Sequence, residues 1–285
     1  MIDVYKWDPK VKSSKGIVVG YHLNGKPFPR YYKKGKLIPS KNRNVGKIDI
    51  IKALAQSSNS YFSILAGDYI KSPKHLIKAA KKLNIGRKTN IELPGEIKGN
   101  LPDDISYNKT SLYSFAIGQH SLVTTPLQVA CMFSILANKG KFYKPEIIKS
   151  KKELIRTISM PLSVRNTILE GLHKALWSEK GTARANNIRK LIGNPILLKK
   201  YKKLKHRFVG KTSTAEIMYK KDVSQEKAVK HNHAWFAGIS FEDTKWEKPE
   251  LVVIVYLRFG TSGKEAAPIA AEIIHKYKEI KNVKF

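Results

Sequence analysis

Leu251-Val252-Val253-Ile254-Val255-Tyr256-Leu257 is nearly unbroken in apolar and β-branched residues, and no other stretch constrains the fold as much. Such a run marks a strand buried on both faces, so other elements must cover it from each side. Phe208–Met218, Ala234–Phe241 and the run continued to Phe259 are β-rich and separated by polar turns, which predicts an antiparallel meander. Ile269, Ile273, Ile274 and Tyr277 then fall at helical spacing and close the chain with a helix.

Ahead of the meander, helical patterns dominate. Asp49 is placed to cap a short helix through Ala55, and an apolar stretch follows from Tyr61 to Ile70. Ser72-Pro73 opens a helix with Leu76, Ile77, Ala80 and Leu83 on one face, stopped by Gly86. Thr125-Pro126 repeats the device before Leu127, Ala130, Phe133, Ile135 and Leu136. Ser163 precedes a further pattern of Val164, Ile168, Leu169, Leu172, Ala175 and Leu176. Residues 16–39 read as strand and turn, with Asn24-Gly25 as a hairpin signal after Ile17–Leu23. Helices in one part and consecutive strands in another predict the α+β class, an antiparallel sheet flanked by helices.

The seven-residue run at 251–257 is also the longest apolar one, against the roughly 20 residues a membrane-spanning helix needs. The charged start has no apolar stretch of the signal-peptide kind. A single cysteine, Cys131, excludes an internal disulfide framework. The charge is extreme: 54 Lys+Arg against 22 Asp+Glu leave +32, a field that attracts polyanions. Only nine of the 54 are arginines, the residue whose rigid fork reads bases and phosphates, and the lysines are spread along the chain. A knot at Lys199, Lys200, Lys202, Lys203 and Lys205 is the exception. A lysine-rich solvated surface is therefore expected, and no nucleic-acid partner.

Gly210-Lys211-Thr212 has the look of a phosphate-binding loop, but the required glycine five residues earlier is Lys205, and Arg207-Phe208-Val209 reads as strand. His231 and His233 fall on one side of a strand with no third ligand nearby, and polar strand-edge residues are the expected reading. No metal site and no cofactor are expected. Two segments remain: Ser57-Ser58-Asn59 at a helix-to-helix junction, and Lys211-Thr212-Ser213-Thr214 on a strand.

In this order and separation the pair resembles the second and third motifs of penicillin-binding proteins and serine β-lactamases. Flanking text sharpens the likeness: Leu83-Asn84-Ile85-Gly86 through Thr89 to Ile91-Glu92-Leu93-Pro94-Gly95-Glu96, then Ala116-Ile117-Gly118-Gln119 and Thr124-Thr125-Pro126-Leu127-Gln128. Gly181-Thr182-Ala183, His233-Ala234-Trp235-Phe236 and Ala266-Ala267-Pro268-Ile269 also match. From about residue 48 to 281 the chain resembles the transpeptidase domain of a class B, elongation-type penicillin-binding protein, in its C-terminal part. The implied organisation is a strand-and-turn segment over 1–47 and a transpeptidase domain, incomplete, over 48–285.

The resemblance implies acyl transfer: a Ser-x-x-Lys serine attacks the penultimate D-Ala carbonyl of a wall stem peptide, and the acyl group passes to a neighbouring amine, cross-linking the wall. Ser57 would relay the leaving-group proton and Asn59 would hold the substrate backbone. Lys211 would supply charge and polarise Ser57. Thr212 and Thr214 hydroxyls would grip the terminal carboxylate, and the Thr214 N–H would be half of an oxyanion hole. Ser213 stands where the family has glycine. Implied partners are peptidoglycan stem peptides, β-lactams and the cell-wall elongation machinery. The implied location for a full-length protein is the extracytoplasmic face of the bacterial cytoplasmic membrane.

One element is out of order. The only Ser-x-x-Lys matches, Ser106–Lys109 and Ser224–Lys227, lie after Ser57 in polar connecting segments and are expected to be coincidences. The first strands and the nucleophile helix are thus expected to lie upstream of Met1, and an upstream companion segment is one way to supply them. A catalytically inactive penicillin-binding remnant and a basic nucleic-acid-binding protein are the alternative readings.

Overall fold

The computed structural model describes residues 1–4, 17–21, 27–33, 36–38, 46–149, 151–219 and 229–282. In chain order its first strands are β1 (Ile2–Val4), β2 (Ile17–Tyr21), β3 (Pro27–Lys33), β4 (Lys36–Ile38) and β5 (Gly46–Ile48). β2, β3 and β4 form an antiparallel three-stranded sheet, as the strand-and-turn reading of 16–39 anticipates; the Asn24-Gly25 turn lies outside the described residues. β1 pairs with β5, setting Ile2 opposite Ile48. Both isoleucines pack with Ala53, Tyr61 and Ile64 into a small core.

Helices follow: α1 (Ile50–Gln56), α2 (Asn59–Ile64, continued by one π turn to Tyr69), α3 (Lys74–Lys82), α4 (Lys109–Ala116) and α5 (Pro126–Ala137). Asp49 caps α1, its carboxylate accepting from the Lys52 N–H at 2.6 Å. Thr125 and Gln128 form a reciprocal capping box at α5. The wholly buried Gln128 also donates to the carbonyls of Arg87 and Lys98 at 2.7 and 2.9 Å. One side chain thus both starts a helix and pins the 86–98 segment to it.

The hairpin β6 (Lys141–Tyr143) and β7 (Leu154–Thr157) leads to α6 (Leu162–Trp177), α7 (Arg189–Ile192) and α8 (Pro195–Lys203). α6 starts at Leu162, two residues before the expected Val164, with Pro161 and not Ser163 as its capping residue. The chain closes with β8 (Phe208–Tyr219), β9 (Val229–Phe241), β10 (Pro249–Leu257) and α9 (Ala267–Asn282). The meander is antiparallel in the order β10-β9-β8. Val253, Val255, Phe236 and Phe208 face Tyr201 of α8 and Ala270 and Ile274 of α9. Val252, Ile254, Ile239 and Val209 face Phe133 and Leu136 of α5 and Leu169 and Leu172 of α6. The sheet therefore has a helical layer on each face, as its continuous apolar run requires.

Two packing details position the site. Gly171 of α6 lets α1 approach closely, because a Cβ there would sit 2.8 Å from Leu54. Arg165, also on α6 and fully buried, donates from Nε to the Leu136 carbonyl at 3.1 Å and from Nη2 to those of Ala137 and Trp246 at 3.3 and 2.6 Å. It satisfies the last turn of α5 and the β9–β10 turn at once. Among the described residues, no helix is long and apolar enough to cross a membrane.

Candidate active site

A cleft of about 950 Å³ opens between the α1–α2 junction and the outer edge of β8. The six residues anticipated from sequence, Ser57, Asn59, Lys211, Thr212, Ser213 and Thr214, all line it.

Local backbone chemistry explains the first pair. Residues two apart on one helix diverge by about 200°, so Ser57 and Asn59 can share a wall only if the helix breaks between them. It does: Ser57 ends α1 in the left-handed region (φ 52°, ψ 54°), and Ser58 caps α2, accepting from the Tyr61 N–H at 3.3 Å. Ser57 and Asn59 are exposed to the cleft, while Ser58 and Ser60 turn inward and are buried.

Opposite them, Lys211 Nζ donates to Ser57 Oγ at 2.8 Å and to the carbonyl of Thr212 at 2.8 Å. Burial between the two walls pushes the Lys211 ammonium down to about 8. Thr212 Oγ1 donates to Thr182 Oγ1 at 2.9 Å, and the Thr182 N–H reaches the Ala55 carbonyl at 3.2 Å. The 181–183 loop therefore ties α1 to β8. Thr214 Oγ1 accepts from the Gly263 N–H at 3.2 Å, which leaves its own proton free to donate into the cleft. Ser213 is exposed, and Gly263 packs flat against its backbone: a Cβ on Gly263 would lie 2.3 Å from the Ser213 carbonyl oxygen.

Three lining residues carry chemistry that sequence reasoning did not assign. Lys180 and Lys264 add two cations to Lys211, and among the described residues no carboxylate lines the cleft. Gln119, from the Ala116–Gln119 run, donates to the Thr214 carbonyl at 3.1 Å. A strand residue turns its N–H and C=O to the same edge, so the Thr214 N–H also faces the cleft. Neither Ser-x-x-Lys match joins the described lining. Ser106 is exposed on a short 3₁₀ turn, and Ser224–Lys227 lies outside the described residues. His231 and His233 pack against Phe259, with His233 also near Tyr256.

A helix-flanked antiparallel sheet is the fold this chain shares with solved penicillin-binding proteins. The chain belongs to the penicillin binding protein transpeptidase domain family, whose model matches residues 22–275. It is 27% identical over 257 residues to the peptidoglycan D,D-transpeptidase MrdA of Haemophilus influenzae, covering 81% of this chain and 36% of that protein. It is 26% identical over 249 residues to MrdA of Acinetobacter baumannii, covering 80% and 34%. The chain thus spans about a third of the length of these curated relatives. Among solved structures, penicillin-binding protein PBP2 of Helicobacter pylori superposes with a TM-score of 0.64 at 23% identity, over 94% of this chain and 44% of that one. The transpeptidase domain of Burkholderia pseudomallei penicillin-binding protein 3 gives 0.65 at 18% identity, over 89% and 70%.

Proposed function

We propose that this chain forms the substrate-holding wall of a peptidoglycan D,D-transpeptidase, an acyl-transfer enzyme acting on stem peptides that end in D-Ala-D-Ala. The Lys211–Ser57 hydrogen bond carries the reading. It joins the two motifs into one proton-handling pair inside a cleft whose described lining has three lysines and no acid. Ser57 accepts from Lys211, so its own proton is free to pass to the leaving D-Ala amine. The Thr214 hydroxyl, with Lys211 and Lys264 nearby, suits the terminal carboxylate, and the Thr214 N–H suits a developing oxyanion. The 285 residues hold no Ser-x-x-Lys before Ser57. In this reading the serine that takes the acyl group, on a helix completing the cleft, comes from a companion segment, and the assembled site works on the extracytoplasmic face of the membrane with the elongation machinery.

Titration of the chain with an N-acylated peptide ending in D-Ala-D-Ala, and with the same peptide as its C-terminal amide, tests the carboxylate subsite. The free acid should bind more tightly, and Thr214→Val and Lys211→Ala should erase the difference. Equal binding of acid and amide by the unaltered chain would remove this reading. Fluorescent penicillin should leave the isolated chain unlabelled; a stoichiometric adduct on Ser106 would make that serine the nucleophile.

A further inference from the structure

Gln119 makes two bonds to β8. Its Nε2 donates to the Thr214 carbonyl at 3.1 Å, and its Oε1 accepts from the Glu216 N–H at 3.4 Å. The two backbone groups are two residues apart on the edge turned away from β9. They are the pair that an added strand would use, because strand addition to a sheet edge is made of N–H and C=O bonds at that spacing. The Gln119 carboxamide presents one N–H and its C=O to the same edge, as the N–H and C=O of a single strand residue do.

Its loop is built to hold it there. Gly118 and His120, on either side, are both left-handed, with φ of 76° and 69°. The Gly118 and Gln119 N–H groups close the end of α4 on the Phe115 and Ser114 carbonyls at 2.9 Å each. His120 is one of the few non-glycine types that tolerate a left-handed position, and its ring reaches Asp104 at 3.2 Å. The other Asp104 oxygen accepts from Asn108 at 2.9 Å and from the buried Ser111 hydroxyl. The backbone is thereby fixed, and only the Gln119 side chain needs to rotate to clear the edge, a motion of the ps–ns class.

We propose that Gln119 is a gate on the open edge of β8. It occupies the two peptide-binding groups at rest and yields them only to a ligand that offers both an N–H for Thr214 and a carbonyl for Glu216. The Asp104–His120 pair is its positioning device. The inference deepens the peptide-binding reading of this cleft and rests on it. It adds that a ligand presenting only one of the two groups leaves Gln119 half engaged.

The test is amide hydrogen exchange at Glu216, joined to peptide titration, in the unaltered chain, Gln119→Ala and His120→Gly. Three peptides are used: an acylated peptide ending in D-Ala-D-Ala, its L-Ala-L-Ala counterpart, and the D,D peptide N-methylated at its pairing amide. Gln119→Ala should speed Glu216 exchange about tenfold and tighten the D,D peptide about fivefold, with no gain for the N-methyl peptide. His120→Gly keeps Gln119, suits the left-handed position and frees the loop, so it should move both readouts in the same direction by less. Should Gln119→Ala fail to fold, His120→Gly carries the test alone. Unchanged Glu216 exchange, or unchanged or weaker D,D binding, would overturn the gate. So would the absence of binding by every peptide. Equal tightening of the L,L peptide would support the gate and remove the D,D reading; D,D selectivity without a response to Gln119→Ala would overturn the gate and leave that reading standing.

Discussion

Lys211 and Ser57 lie 154 residues apart in sequence and 2.8 Å apart in space, ammonium nitrogen to hydroxyl oxygen. The contact holds a depressed lysine, at about 8 against an ordinary 10.5, because burial disfavours its charged form.

Such a lysine weakens the fold wherever it is charged in both states. Below about pH 8 the penalty is complete. Between about 8 and 10.5 the folded chain has shed the proton while the unfolded chain keeps it, so stability from this residue rises with pH. Lys211→Met should therefore be more stable than the unaltered chain at pH 7, by on the order of 2 kcal/mol, with the gap closing by pH 10.5. Urea denaturation of both proteins across that range measures it. A methionine variant less stable at pH 7 would show that the Ser57 bond outweighs desolvation.

Ser57 occupies a left-handed backbone position that suits glycine. Ser57→Gly should leave stability unchanged or raise it, by up to about 1 kcal/mol, while removing the hydroxyl on which proton transfer depends. Loss of more than about 1 kcal/mol in a denaturation curve would indicate that the hydroxyl, not the backbone, holds the α1–α2 junction.

Gly263 touches the backbone of both Ser213 and Trp235; an added Cβ would meet their carbonyl oxygens at 2.3 and 2.6 Å. Backbone atoms cannot give way as a side chain can. Gly263→Ala should cost about 2–3 kcal/mol and weaken binding of acyl-peptides, because the clash displaces the residue-263 N–H that the Thr214 hydroxyl accepts from. Calorimetric melting and peptide titration report the two effects separately, and wild-type values in both would refute the contact.

Arg165→Met should cost at least about 3 kcal/mol, since two buried carbonyls and the half-buried one of Trp246 lose their donor. Its ion pair with Glu247 is long, at 3.9 Å, so Glu247→Gln should cost less than about 1 kcal/mol. A reversed ranking in urea midpoints would show that the charge pair, rather than the three carbonyl bonds, secures this arginine.

Much of this molecule is written in short-range signals. The Asp49 and Thr125 caps, the β-rich meander and the closing helix each follow from neighbours within a few residues; the caps fall where expected, while β9 starts five residues before Ala234 and α9 runs five past Tyr277. Ser57, Asn59 and the Lys211–Thr214 run are likewise legible as motifs. Lys180 and Lys264 have no such signature, and Gln119, though it ends the Ala116–Gln119 run, carries no sign of the strand it bonds. Each sits in a turn or connector whose approach to β8 is decided by Gly118, Gly181 or Gly263, and the sequence of a loop does not state where its ends are carried. α7 and α8 are hidden for another reason: their lysines mask the period that Leu191 and Tyr201 supply to the core.

The acid-free lining has a practical side. Three ammonium groups around one opening with no fixed counter-charge among the described residues will collect mobile anions, and divalent ones most strongly. Phosphate or sulfate buffers should then behave as competitive inhibitors of this cleft, and ligand affinities measured in them should fall below those in a chloride-poor zwitterionic buffer at matched ionic strength. The choice of buffer becomes an experimental variable in its own right, and a weak ligand scored as inactive in phosphate is one to assay again.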